Sequence, residues 1–155
     1  MIVPRYRLGA SAIAGAGKGI FLDEPVQRGR VIVAPDRIDR MMHRQELERY
    51  SLDSIENVSS ARWFEDWYTI STDWPDECYI NHSGTPSGLW HLGFVFATAD
   101  LGAGRELTAD YRFLLGTGEI SAFVDSASGE RVTGLDWADN VRQSGERLLA
   151  LLRGA

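Results

Sequence analysis

Three short segments hold the residue types that could do chemistry. The run Glu106-Leu107-Thr108-Ala109-Asp110-Tyr111 follows a strand-like stretch and ends on a carboxylate and a phenol. A tyrosine hydroxyl, with an ordinary pKa of about 10, is neutral near pH 7 and both donates and accepts hydrogen bonds. Such a residue orients a polar ligand, or simply packs with its hydroxyl satisfied. The segment Tyr79-Ile80-Asn81-His82-Ser83-Gly84-Thr85-Pro86 runs two strand-like residues into a polar cluster. Asn81 offers a donor and an acceptor, and His82 two ring nitrogens. These are either binding groups or the polar closure of a turn, and in isolation the turn is the simpler reading. The third segment, Gly15-Ala16-Gly17-Lys18-Gly19-Ile20-Phe21, has enough glycine for its backbone to approach a ligand or take positive φ. It is no dinucleotide fingerprint, because no strand is expected before it and no long helix after it. Nor is it a phosphate loop, because Gly-Lys is not followed by Ser or Thr. By itself it reads as a turn. Cys78, His82 and His91 follow no zinc-ligand spacing, and no metal is expected.

Groups of this kind need a scaffold, and the chain supplies short strands and many turns. Glycine and proline recur at short intervals through the first third and again after Gly84. Between them, residues 20–22, 31–33, 68–71 and 93–98 are rich in β-branched or aromatic side chains and read as strands. Two segments break the pattern. Residues 37–50, with Ile38, Met41, Met42 and Leu47 among charges, predict a helix with one apolar stripe. Residues 136–152 predict a second helix, with Asp136 as N-cap and Trp137, Val141, Leu148, Leu151 and Leu152 at helical spacing. Gly145 weakens its middle by about 1 kcal/mol relative to alanine. Its stripe is expected to cover the β body. The expected class is mainly β with a few helices (α+β).

Composition narrows the function. With 155 residues the chain fits one domain, and 44% hydrophobic with 25% charged residues is ordinary for a globular protein. One cysteine excludes an intramolecular disulfide framework. The apolar runs are too short for a membrane-spanning helix. The start, Met1-Ile2-Val3-Pro4-Arg5, lacks the pattern of a secretory signal, so a cytoplasmic location is expected. The formal net charge is −6 with a pI near 5.0 and no basic run, which argues against direct nucleic-acid binding. An acidic surface suits encounter with a basic partner.

Taken in order, the three segments resemble a SET domain, the fold shared by most protein-lysine methyltransferases. Family members carry a Gly-x-Gly-Val/Ile-Phe segment, then a Lys/Arg-Gly-x-x-Ile strand, matched by Gly17-Lys18-Gly19-Ile20-Phe21 and Arg28-Gly29-Arg30-Val31-Ile32. The family's Asn-His-Ser-x-x-Pro is matched by Asn81-His82-Ser83-Gly84-Thr85-Pro86. Its Ala-x-x-Asp-Ile/Leu strand and Gly-x-Glu-Leu-Thr-x-Asp-Tyr end are matched by Ala97-Thr98-Ala99-Asp100-Leu101 and by Gly104 through Tyr111. The resemblance spans about residues 6–112.

The resemblance implies a β-clip fold whose C-terminal segment threads an earlier loop, pseudoknot-like, bringing the Asn81 strand beside Tyr111. It implies a core over residues 1–112, with a helical insert at about 37–67, and an extension over 113–155 whose helix packs on that core. It implies methyl transfer from S-adenosylmethionine to a lysine side chain of a basic protein, histone-like or ribosomal. Tyr111 takes the place of the catalytic tyrosine. Cofactor contacts are implied for Gly17, Lys18, Gly19, Asn81, His82, Tyr111 and Phe113. A catalytically silent SET-like interaction module is the alternative. Three positions depart from the family's common residues. Gly84 stands in place of Cys, Ser87 lacks the turn-stabilising amide of Asn, and Ala109 leaves space where many members line the lysine channel with an aromatic. No cysteine-rich closing module follows, as in small bacterial and viral members. Residues 112–115 and the last helix are then expected to cover the site, and a homodimer could complete it.

Overall fold

The computed structural model describes residues 1–36 and 38–153. The chain opens with β1 (Tyr6–Ala10), β2 (Lys18–Leu22), β3 (Val31–Val33) and β4 (Arg40–His43). Two one-turn helices, α1 (Arg44–Leu47) and α2 (Ile55–Val58), precede β5 (Ser60–Phe64) and β6 (Trp67–Ile70). A 3-10 turn, Asp76–Tyr79, leads into β7 (Asn81–His82), β8 (Gly88–His91), β9 (Phe94–Ala97) and β10 (Glu106–Ala109). After a second 3-10 turn, Tyr111–Phe113, come β11 (Ile120–Val124), β12 (Arg131–Thr133) and α3 (Trp137–Arg153). The class is the expected one, and the strands read at 20–22, 31–33, 68–71 and 93–98 all form.

The main sheet runs β1-β2-β10-β8-β9-β3, with β7 also on β10. β10 is its hub: it lies antiparallel to β2 and parallel to both β7 and β8. All four of its residues are buried, as expected of a strand paired on both edges and covered on both faces. Ile20, Leu22, Ile32, Val95 and Leu107 are buried around it and form the centre of the core. Thr108 lies opposite Asn81 and Ala109 opposite His82, so the Asn81 strand stands beside the Tyr111 run as the resemblance implied.

β1 and β2 form an antiparallel hairpin, from Tyr6 opposite Leu22 to Ala10 opposite Lys18. The glycine segment is therefore its tip, and a strand does precede it. Tyr6-Arg7-Leu8-Gly9-Ala10 carries no strong alternation; pairing with β2 is what makes it a strand. At the tip Gly15 and Gly17 take φ of +79° and +73°, where a side chain would be strained.

The helix expected over residues 37–50 is corrected. Its first residue, Arg37, lies outside the described residues. Residues 40–43 are β4, paired with β6 from Arg40 opposite Ile70 to His43 opposite Trp67, and only Arg44–Leu47 is helical. Met42 and Leu47 are both buried, but one points inward from a strand and the other from a helical turn. The insert expected to be helical at about 37–67 is instead a three-stranded sheet, β4-β6-β5, with two one-turn helices.

α3 forms almost as expected. Asp136 caps it: its carboxylate accepts from the Asp139 N–H at 2.9 Å and its carbonyl from the Asn140 N–H at 2.9 Å. The buried face differs from the expected stripe. Leu152 is about half exposed, whereas Asn140 and Ser144 are buried with Leu151. Those two polar residues hydrogen-bond inward, Asn140 Nδ2 to the Phe113 carbonyl at 2.8 Å and Ser144 Oγ to His91 Nδ1 at 2.8 Å. Burial of these side chains is tolerated because each is bonded.

Candidate active site

Tyr111 is placed by the residue before it. Asp110, buried at the end of β10, accepts a hydrogen bond from the Arg112 N–H at 3.1 Å and caps the Tyr111–Phe113 turn. The Arg112 guanidinium grips the same carboxylate with its Nε at 3.0 Å and Nη2 at 2.6 Å. This turn carries Tyr111 back beneath β7. Its N–H donates to His82 Nδ1 at 3.1 Å and its hydroxyl donates to the Ile80 carbonyl at 2.6 Å. Burial pushes the phenol up to about 12, so the hydroxyl stays protonated through the physiological range. Burial also lowers His82 below the ordinary imidazole range, against the opposing pull of Asp110 and Asp125. Because Nδ1 accepts the Tyr111 N–H, the neutral ring carries its proton on Nε2.

The glycine tip meets the Asn81 strand through one side-chain amide. Asn81 Nδ2 donates to the Lys18 carbonyl at 2.8 Å and to Glu106 Oε1 at 3.1 Å. Gly19 lies against this pair; a Cβ there would run into the Glu106 carboxylate and sit 3.2 Å from Asn81 Nδ2. Gly17 is the opposite case, exposed and with open space where a Cβ would stand. The Lys18 ammonium is 5.6 Å from the centre of the Tyr79 ring. Gly17, Lys18, Gly19, Asn81 and His82 are thus assembled into one region adjoining Tyr111.

Phe113 is not part of it. It is buried beneath α3, with its carbonyl bonded to Asn140 and the Arg147 guanidinium over its ring at 5.2 Å. The aromatic that does reach the site is Phe123 of β11. Its ring centre is 5.8 Å from that of His82 and 5.7 Å, edge-on, from that of Tyr111. His82 and Tyr111 are themselves 5.5 Å apart, so the three rings form one cluster. The β11–β12 hairpin supplies this ring, and Leu114 and Leu115 line the same cleft beside it. A strand signal was available for it in Ile120-Ser121-Ala122-Phe123-Val124 between Gly118 and Gly129, but nothing local ties that strand to His82.

Tyr111, Ala109, Ile80, Cys78, Trp90 and Phe123 all line a cleft of about 850 Å³. Glu77 and Glu119 also face it. The Cys78 thiol is pushed up to about 11 by burial, which keeps it un-ionised. Among the described residues, Cys78, His82 and His91 form no metal-ligating cluster.

The departures from the family residues are accommodated. Gly84 has open space beside it. Ser87 is buried and fully engaged: its hydroxyl donates to the Glu106 carbonyl and accepts from the Thr108 N–H, each at 2.9 Å, bridging the chain from just before β8 to β10. The small hydroxyl thereby does what an asparagine amide was expected to do. Ala109 leaves the cleft wall open beside Tyr111.

Comparison with known proteins agrees with this geometry. The SET domain family matches residues 17–112, more than half of the chain. Among solved structures, the Chaetomium thermophilum polycomb repressive complex 2 is similar over 70% of this chain, at 18% identity and a TM-score of 0.58. A structure of an active polycomb repressive complex 2 in the basal state gives the same figures. The aligned part is 15% of each of those much longer chains, and at this identity the likeness is one of fold. No curated protein matches the chain. With the ordered motifs, the hub strand and this match in agreement, the chain belongs to the SET-domain family.

Proposed function

We propose that the protein is an S-adenosylmethionine-dependent protein-lysine N-methyltransferase. The observation that carries this is the placement of Tyr111: a phenol kept neutral by burial, anchored on the Ile80 carbonyl and adjoining both the Asn81-His82 region and an open cleft.

The residues present fit the cofactor. The amino-acid tail of S-adenosylmethionine needs close backbone groups and a polar acceptor. Gly17 offers backbone open on the side a Cβ would fill, and the Asn81 amide oxygen accepts no hydrogen bond among the described residues. Gly17, Lys18, Gly19, Asn81 and His82 would hold it. Bound there, S-adenosylmethionine supplies a methyl group activated by a sulfonium charge.

The protein's own part is to deliver and orient an amine. A free lysine has a pKa of about 10.4 and arrives charged; Glu77 and Glu119 favour its approach. Ile80, Ala109, Val95 and Trp90 then surround it with apolar surface, which disfavours the ammonium and promotes loss of its proton. The Tyr111 hydroxyl spends its proton on Ile80, so its lone pairs are free to accept from the neutral amine and align it. Tyr111 is therefore an orienting group and not a base. The partner class is a basic, lysine-bearing protein, histone-like or ribosomal.

The test is incubation of the full chain and basic protein extract with methyl-labelled cofactor, followed by mass spectrometry of lysines. Label on lysine is expected. A thermal shift accompanies it: cofactor at 100 times its Kd raises stability by about 2.7 kcal/mol. Binding without any label would favour the silent interaction module, for which the open wall at Ala109 is the one supporting feature; neither binding nor label would sink the methyltransferase.

A further inference from the structure

Building on that cofactor placement, we propose that Glu106 is a positioning residue that fixes which end of the Asn81 amide faces the cofactor, making the site selective for an ammonium group. Glu106 is only 9% exposed, yet it makes no ion pair among the described residues. Neutral donors satisfy it instead. Oε1 accepts from the Ser11 hydroxyl at 2.6 Å and from Asn81 Nδ2 at 3.1 Å, and Oε2 accepts from the Ala12 N–H at 2.9 Å. A buried carboxylate is costly without such bonds, so three donors converging on one group mark a built arrangement.

Its consequence lies in the symmetry of an amide. The two ends of the Asn81 side chain have nearly the same shape and opposite hydrogen-bonding character. Both groups on its inner side, the Lys18 carbonyl and the Glu106 carboxylate, can only accept. The nitrogen is therefore held inward and the oxygen is turned outward, where it accepts nothing among the described residues. Turning the amide over would set its oxygen against two others. An outward oxygen attracts an ammonium and repels a carboxylate, so of the two charges on an amino-acid tail it selects the amine. Glu106 also sets the glycine tip. Ser11 and Ala12 begin the loop that ends at Gly17, closed by the Ser11 N–H on the Gly17 carbonyl at 2.8 Å. The Asn81 oxygen and the Gly17 backbone are thus held by one carboxylate, while Glu106 itself touches neither cofactor nor substrate.

The experiment is calorimetric titration of the full chain with S-adenosylhomocysteine and with its analogue lacking the α-amino group. Wild type is expected to prefer the amine-bearing ligand by about tenfold or more, the worth of one hydrogen bond to a charged group. Glu106→Gln sets an NH₂ against Asn81 and lets its amide turn. Glu106→Asp keeps the charge but cannot span Ser11 and Asn81 together. Both variants are expected to reduce the preference to about threefold or less, while the release of the loop weakens both ligands by a common factor that cancels in the ratio. Ser11→Ala removes one donor to Glu106 and one of the loop's ties to it but leaves the carboxylate facing the Asn81 amide, so it should weaken both ligands alike, keeping the ratio. Because the readout is a ratio within one protein, a general loss of fold does not mimic it. An unchanged ratio in whichever Glu106 variant folds overturns the proposal. So does a wild type that binds both ligands equally, although the cofactor placement would survive that result. A wild type that binds neither removes both.

Discussion

Tyr111 and His82 share one hydrogen bond and one ring contact, but their chemistry separates on mutation. Tyr111→Phe keeps the ring in its cluster with His82 and Phe123 and leaves the Ile80 carbonyl without its donor. The expected cost is about 1–3 kcal/mol of stability, a Tm loss of some 2–4 °C per kcal/mol. Methyl transfer should fall by about 10²- to 10³-fold, since an orienting group is lost where the reaction needs alignment. S-adenosylhomocysteine affinity should be unchanged. Single-turnover kinetics beside calorimetry checks both halves, and wild-type activity in the Phe variant would remove Tyr111 from the mechanism. His82 gives a pH dependence. Its folded pKa is lowered by burial, so below its ordinary value of about 6.5 the unfolded chain takes up a proton that the folded chain resists. Stability is therefore full above about pH 6.5 and declines as pH falls toward the folded value. His91, also lowered by burial, acts in the same direction. His82→Asn keeps an acceptor for the Tyr111 N–H but cannot titrate, so the fall in Tm between pH 7.5 and 5.5 should be visibly shallower. A slope as steep as the wild type's would assign the effect elsewhere.

At the scale of elements, the β11–β12 hairpin adds Phe123 to the cleft from outside the family-matched segment, next to Leu114 and Leu115. Phe123 is 40% exposed, so its ring contributes modestly to folding and mainly to the cleft wall. Phe123→Ala is expected to lower Tm by only a few degrees. It should raise KM for a protein substrate, with kcat falling as the ring support on Tyr111 goes. Steady-state kinetics on purified variant and wild type decides this; unaltered kinetics would make the hairpin a bystander. α3 has a different job. Through Asn140 on the Phe113 carbonyl and Ser144 on His91 it holds the turn after Tyr111 and strand β8 together.

Across the whole molecule, the insert side chains Arg44, Arg62 and Tyr68 hydrogen-bond to the C-terminal extension, and Arg62 is the most buried of them. Arg62 of β5 is 1% exposed. Its Nη2 donates to the Leu135 carbonyl at 2.9 Å and its backbone N–H to the Leu114 carbonyl at 2.8 Å, with the guanidinium 6.0 Å from the Trp137 ring. Its Nε has no hydrogen-bond partner among the described residues, and burial lowers its pKa. Arg62→Ala removes buried packing and strands the Leu135 carbonyl, with an expected loss of about 2–4 kcal/mol. Hydrogen exchange should quicken over residues 116–135 well before it does in β2 or β10. Uniform quickening would show instead that Arg62 supports the core at large. Because Phe123 rides on the same extension, activity should fall with it.

What could be read along the chain was what local chemistry decides. β2, β3, β6 and β9 were legible because β-branched and aromatic residues cluster between turn residues. α3 was legible because Asp136 caps it and its period is helical. Asn81, His82 and Tyr111 were legible because each stands in a contiguous motif. What tertiary contact decides was not. Met41 and Met42 suit a helical stripe and a strand alike, and pairing with Tyr68 and Thr69 settled the matter. Phe113 looked like a cofactor neighbour from its place after Tyr111, until α3 packed over it. Glu106 and Phe123 act through partners distant in sequence: Ser11 is 95 residues from Glu106, and nothing near Phe123 announces His82. Such contacts depend on which surfaces the core brings together, and only the folded sheet, with β10 at its centre, does that.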